Sequence, residues 1–300
     1  MKFEIGCAII QFCKEYSFDE FRVTFKLDEV FKALDLPIAK PLTLYNFLRG
    51  ALYRKLDSWE ELSLLSTSKG NQEKYYSSEE NAFIKLRFYY DNKYWNDFLV
   101  EVISSKVFAS LPTGVSVLKQ LPVWTNKGWG CYSKNFCNNG KFLSFENLLE
   151  TNRLRFTDND RYRYVLDVYA KYNIDATTYI DTMIVLDAVV LNEDRHLNNF
   201  GILYKDGAFT LPPIFDNGLG LFEHDYKYSY VTELGVALRK AKAKPFNVDF
   251  FKSVQKNVSS ASLSTILKGL YIPDDLYVPN SLAARHLNSV KQRLEVFIND

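Results

Sequence analysis

This sequence predicts an α+β fold of two lobes, a strand-rich half followed by a helix-rich half. Three observations carry that prediction. Segments before about residue 137 either alternate apolar and polar residues or concentrate aromatic and β-branched ones, as strands do. Segments after it recur at helical spacing, and Thr177–Leu191 is apolar nearly all round, as a buried central helix would be. The 300 residues, 47% hydrophobic and 24% charged, suffice for two units of ordinary size with a sizeable core. Two such halves packed together leave a cleft, the usual place for a ligand site.

The elements follow in order. Residues 1–62 read as a mixed α/β extension: an apolar segment at Ile5–Phe12, an alternating strand at Phe21–Lys26, and helices near Leu27–Leu34 and Leu44–Leu56 separated by Pro37 and Pro41. The strand-rich unit is expected over 63–137. It opens with a polar, glycine-containing stretch over 63–80, either a loop or two short strands around a loop, and Ala82–Tyr90 then reads as a single strand from its aromatic and β-branched content. Lys93–Leu111 reads as a helix whose buried face is Trp95, Phe98, Leu99, Val102 and Ile103, with Glu101 at the margin of that face. Strands punctuated by Gly and Pro run on to Cys137. The helical unit is expected over 138–300: an aspartate-capped helix at Asp160–Tyr172, then Thr177–Leu191. A hairpin follows, Phe200–Tyr204 and Ala208–Phe215 turning on Asp206-Gly207, and helices continue from Val236.

Composition excludes several kinds of chemistry. Lys plus Arg (37) nearly balances Asp plus Glu (36), so the global basic field of a nucleic-acid binder is missing, and neither nucleic acid nor membrane is expected as a partner. No apolar stretch approaches the roughly 18 residues of a membrane span, and the start, Met1-Lys-Phe-Glu-Ile5, does not resemble a signal peptide; a soluble cytoplasmic protein is the expectation. Cys7, Cys13, Cys131 and Cys137 have neither zinc-ribbon nor disulfide-scaffold spacing, and three histidines cannot build a His-rich metal site.

The informative stretch is Leu191-Asn-Glu-Asp-Arg-His-Leu-Asn-Asn-Phe-Gly201, a polar loop between the central helix and the hairpin, with Pro213-Ile-Phe-Asp-Asn-Gly218 at the hairpin's far side. Phosphoryl transfer needs a carboxylate to orient a hydroxyl and a pair of oxygen ligands for magnesium. Asp194 and Asn199 keep the Asp-x-x-x-x-Asn spacing of a kinase catalytic loop, and Asp216-Asn-Gly218 keeps the Asp-x-Gly frame of its metal aspartate. Upstream, Lys85 lies on a strand and Glu101 on the following helix, the order in which a kinase supplies its phosphate-binding lysine and that lysine's carboxylate partner.

The chain resembles the HipA-like serine/threonine kinases. The loop reads Asn192-x-Asp194-x-His196-x-x-Asn199, the metal aspartate occurs as Pro-Ile-Phe-Asp216, and the phosphate loop as Gly70-x-Gln72-Glu-Lys74. Asp-Arg-His also occurs in phosphoinositide kinases, which share the broader architecture. The resemblance covers about 64–260, is strongest at 190–220, and leaves 1–62 unmatched. It implies a protein-kinase-like fold using ATP and Mg2+, with Asp194 as catalytic base and Asn199 and Asp216 as metal ligands. Lys85 would contact the phosphates and pair with Glu101, Gly70, Asn71 and Gln72 would offer backbone N–H groups, and His196 would brace the loop. Lys134 and Phe136 would lie at the adenine-binding hinge, and Ser66, Thr67 and Ser68 would be autophosphorylation candidates. It further implies a protein acceptor, such as a translation factor or aminoacyl-tRNA synthetase, and an antitoxin partner. The unlike N-terminal region and the short spacing from phosphate loop to Lys85 depart from the family pattern. Two other readings stand beside the kinase: a pseudokinase scaffold whose N-terminal unit binds a partner, and a kinase of lipids or small molecules.

Overall fold

The computed structural model describes residues 60–61, 74–78, 80–86, 88–90, 93–95, 97–125, 128–151, 160–220, 239–270 and 290–295. The expected strand and helices of residues 1–59 and the phosphate loop at 66–72 lie outside the described residues. The elements are β1 (Glu60–Glu61), β2 (Lys74–Ser77), β3 (Ala82–Leu86), β4 (Phe88–Tyr90), β5 (Lys93–Trp95), α1 (Asp97–Phe108), β6 (Leu121–Thr125), β7 (Gly128–Lys134), β8 (Lys141–Ser144), α2 (Phe145–Thr151), α3 (Arg161–Ala170), α4 (Thr177–Val190), β9 (Gly201–Lys205), β10 (Ala208–Thr210), β11 (Lys242–Ala243), β12 (Val248–Asp249), α5 (Phe250–Asn257) and α6 (Ser260–Gly269).

Five strands make an antiparallel sheet in the order β1-β2-β3-β7-β6. Alternation along β3 sends Ala82, Ile84 and Leu86 to one face, where they join Tyr75, Val123 and Tyr132 in a small core. Phe83 and Lys85 therefore face the other way. Lys85 pairs with Lys74 on β2 and Cys131 on β7. A side chain at Gly130 would collide with the Lys85 carbonyl oxygen, so this glycine permits the close β3–β7 ladder at the lysine.

A second, larger core surrounds α4, whose residues from Tyr179 to Val190 are all buried. Helices α5 and α6 pack against α4, and Tyr162 of α3 donates to Asp181 of α4 at 2.6 Å. Strands β8, β9 and β10 form an antiparallel sheet, in which Asp206 and Gly207 turn the β9–β10 hairpin with positive φ at both positions, the type I′ geometry that Asp-Gly favours. Asp160 caps α3 by accepting from Arg163 N–H at 3.2 Å.

Several sequence expectations are corrected. Helix α1 begins at Asp97; Lys93–Trp95 is a strand paired with β4, and Ala82–Tyr90 is two strands. The helical spacing of Trp95 hid this strand pair, although in the sequence Asp91-Asn92, residue types common in turns, separates the aromatic-rich Phe88-Tyr-Tyr90 and Lys93-Tyr-Trp95. Every residue of α1 except Lys106 is buried, because the helix packs against β6 and β7 on one side and belongs to the larger core on the other. Glu101 therefore sits fully buried instead of at a margin. Strand β8 and the β11–β12 pair lie within stretches expected to be helical, and the second hairpin strand ends at Thr210.

Candidate active site

Three elements converge on Lys85. Its ammonium bonds both Glu101 Oε1 of α1 and Asp216 Oδ1 of the segment after β10. The second oxygen of Glu101, Oε2, accepts the backbone N–H of Asn217 at 3.1 Å. Both oxygens of a fully buried carboxylate are thereby satisfied, which its desolvation demands. Asp216 adopts a left-handed φ of 62°, a conformation an Asp tolerates better than most side chains and one recurrent at functional sites. Gly218 follows close to α1: a Cβ there would stand 3.5 Å from Glu101 Cγ.

Charge dominates this cluster. Burial by itself would lower the Lys85 ammonium, but the carboxylates of Asp216 and Glu101 outweigh it and hold the amine above its ordinary value. Burial would likewise raise the Asp216 carboxyl, and the cations Lys85 and Lys74 outweigh it, holding Asp216 well below the usual carboxylate range. Lys74, opposite Lys85 on the same sheet face, is pushed down by burial and by its like-charged neighbour. Burial pushes the Cys131 thiol well up, so it stays protonated.

The second half of the site is the loop that leaves α4. The helix ends at Leu191 in a left-handed conformation, φ 52°. Asn192, fully buried, donates from Nδ2 to Asp187 at 3.0 Å and accepts the Asp194 N–H at 3.2 Å, an Asx turn that aims the loop. Asp194 projects a side chain 40% exposed, and Lys244 Nζ lies 3.8 Å from its Oδ1. Burial raises the Asp194 carboxyl, against the downward pull of His196 and Lys244. The Nδ1 of His196 accepts the Asn198 N–H at 3.2 Å, a contact internal to the loop.

Arg195, the residue that fastens the two halves, has no role in the sequence reading. Its guanidinium is fully buried and uses all five N–H donors. Nε and Nη2 bond the two oxygens of Asp187 at 3.0 and 2.9 Å, and Nη2 also bonds Asn217 Oδ1 at 2.6 Å. Nη1 bonds the carbonyls of Asn199, at 3.3 Å, and of Phe215. One side chain thus ties Asn199 to the residues on either side of Asp216. The available signal was Asp187 itself, since a carboxylate inside an otherwise apolar helix requires a buried partner.

The groups able to hold a divalent ion are the Asp216 carboxylate and Asn199 Oδ1, hard oxygens of the kind magnesium takes while keeping waters or phosphate oxygens for the rest of its shell. Asn199 spends Nδ2 on the Asp194 carbonyl at 3.2 Å, which leaves its amide oxygen as the end for an ion. Among the described residues no cluster of three His, Cys, Asp or Glu could cage a metal, so any ion here would draw most of its shell from elsewhere. Phe136 follows β7, and its ring contacts Phe142 and Phe215, with centroids 5.6 and 5.2 Å away. The exposed Lys134 bonds Glu80 at 2.8 Å. Gly70, Asn71, Gln72, Ser66, Thr67 and Ser68 lie outside the described residues.

The fold is similar to that of the proinflammatory kinase CtkA of Helicobacter pylori, at a TM-score of 0.60 and 16% identity over 78% of this chain and 90% of that one. This chain therefore has a kinase-like, mixed α+β fold. A looser likeness, at a TM-score of 0.36 and 12% identity over 85% of this chain and 62% of the other, is to a Shewanella oneidensis HipA–HipB toxin–antitoxin complex with operator DNA. No protein-family model matches the sequence, and no curated protein matches it.

Proposed function

We propose that this chain is an ATP-dependent serine/threonine protein kinase of the HipA-like type, two-lobed, with its site in the cleft. The observation that carries the reading is the Lys85 ammonium held between the carboxylates of Glu101 and Asp216. A lysine so placed is fixed in direction and permanently charged, which is what a phosphate chain needs from its protein. The kinase-like fold and the two separate hydrophobic cores support the architecture.

In this reading Lys85 contacts the nucleotide phosphates while Glu101 holds it in place. Asp194 accepts the proton of the incoming hydroxyl, and His196 keeps the loop in shape through the Asn198 N–H. Asp216 and Asn199 would hold magnesium, whose charge neutralises the phosphates. Backbone N–H groups of Gly70, Asn71 and Gln72 complete the phosphate cradle, and backbone groups of Lys134 and Phe136 face the adenine. The acceptor is a protein hydroxyl, with the translation machinery as its source and an antitoxin as partner.

Labelled γ-phosphate transfer tests this, with the unaltered chain beside Asp194→Ala, Asp216→Ala and Lys85→Met. The expected result is transfer by the unaltered chain, to itself or to a lysate protein, and loss in all three variants. Magnesium-dependent ATP binding without any transfer would instead establish the nucleotide-binding scaffold.

A further inference from the structure

Lys244 stands beside Asp194, yet it comes from a hairpin that no kinase motif in the sequence touches. The hairpin docks onto the loop at two points: the Lys242 N–H donates to Glu193 Oε1 at 3.3 Å, and Lys244 Nζ approaches Asp194 Oδ1 at 3.8 Å. Its own frame is firmly held. Ala241, Ala243 and Phe246 are buried in the larger core, Arg161 Nη1 bonds the Pro245 carbonyl at 2.5 Å, and the Asn247 N–H closes on the Ala243 carbonyl at 2.8 Å. Phe250, which opens α5, donates its N–H to Ala241, and α5 packs on α4, the helix that delivers the Asp194 loop. The lysine and the aspartate are therefore positioned by the same packed elements.

As a stabilising ion pair this contact is worth little. Both side chains are well exposed, 56% for Lys244 and 40% for Asp194, and the separation is too long for a hydrogen bond. An exposed ammonium that makes no hydrogen bond among the described residues is suited to a ligand that arrives between it and the carboxylate. Arg195, the cation within the loop itself, by contrast spends all five donors inside the protein.

We propose that Lys244 is a further catalytic residue, which contacts the oxygens of the phosphoryl group as it passes to the hydroxyl held by Asp194. The inference deepens the kinase reading and depends on it. In the step, the acceptor oxygen forms a bond to the γ-phosphorus while the bond from that phosphorus to the β,γ-bridging oxygen breaks. The electron pair of the broken bond leaves with ADP, and the hydroxyl proton passes to the Asp194 carboxylate. Lys244 keeps its protons throughout; its charge offsets the negative charge that crosses from nucleotide to acceptor. Lys85 acts at the nucleotide end of the same path, and Lys244 at the acceptor end.

The test uses the full chain with saturating Mg-ATP and reads γ-phosphate transfer to water and to the chain itself, so no acceptor need be identified. Lys244→Met should lower kcat by about 10²-fold, the usual consequence of removing one charge-stabilising donor. The KM for ATP and the thermal unfolding temperature should stay unchanged, and Lys244→Arg should recover most of the loss. Lys256→Met, which removes an exposed charge elsewhere on α5, controls for net charge and should behave as the unaltered chain. An active unaltered chain with Lys244→Met within twofold of it overturns this inference alone. A loss confined to KM, or one shared by Lys256→Met, also overturns it. An unaltered chain with no transfer at all overturns the kinase reading and this inference together.

Discussion

Removing Arg195 should separate stability from catalysis in a way the geometry specifies. Arg195→Met keeps much of the side-chain volume but leaves Asp187, 3% exposed, charged without its cation. Breaking a buried pair from one side costs about 3–5 kcal/mol, a large part of a total stability of roughly 5–15 kcal/mol. For a chain of this size that lowers the unfolding temperature on the order of 10 °C. Removing Asp187 as well, in Asp187→Leu/Arg195→Met, eliminates the stranded charge and should return about 2 kcal/mol relative to the sum of the single losses. The recovery is partial because the Asn217 side chain and the carbonyls of Asn199 and Phe215 still lose their donor. Arg195→Lys should not substitute, since an ammonium has three donors for five acceptor contacts that come from three parts of the chain. Urea unfolding followed by tryptophan fluorescence measures the unaltered chain, Asp187→Leu, Arg195→Met, the double variant and Arg195→Lys, and phosphate transfer should stay low in every variant that lacks Arg195, the double variant included. A loss below about 1 kcal/mol in Arg195→Met, or strictly additive single losses, would show that Arg195 and Asp187 are not energetically coupled as a buried pair.

Two further outcomes follow from the same site. Burial raises the Asp194 carboxyl, and a base works only when deprotonated, so kcat/KM should rise with pH through a limb above the ordinary aspartate value of roughly 3.9; Asp194→Asn should abolish that limb together with the activity, and a profile flat down to pH 4 would speak against Asp194 as base. Under the proposed kinase function, incubation with Mg-ATP should add phosphate to at least one of Ser66, Thr67 and Ser68, and the about −1.5 to −2 charges so added would repel the nucleotide; intact-mass analysis showing no added phosphate would retire that mechanism.

What the sequence revealed and what it concealed follow from the range of the interactions. The α3 cap at Asp160 and the Asp206-Gly207 turn depend on neighbouring residues, so they were readable directly. The pairing of Lys85 with Glu101 was legible as an order of elements, but the full burial of Glu101 was not, because it arises from α1 lying between β6–β7 and the larger core. Strand β8 is four residues without alternation, and its identity comes only from pairing with β9. The end of α4 carries no glycine: Leu191 takes the left-handed position itself. Arg195 and Lys244 were missed for one reason. Each acts on a segment distant in sequence, and no local pattern records a guanidinium bonded to three chain segments or a hairpin docked on a loop.

In the proposed function Asp216 and Asn199 would hold one ion beneath the phosphates that Lys85 would contact. A crystal structure with Mn2+ and a non-hydrolysable ATP analogue tests it most directly, because manganese gives an anomalous signal at its position. A peak is expected at roughly 2.0–2.2 Å from oxygens of both residues, with Lys85 on the phosphate chain. A metal bound to neither side chain, or a nucleotide seated away from Lys85, would contradict it.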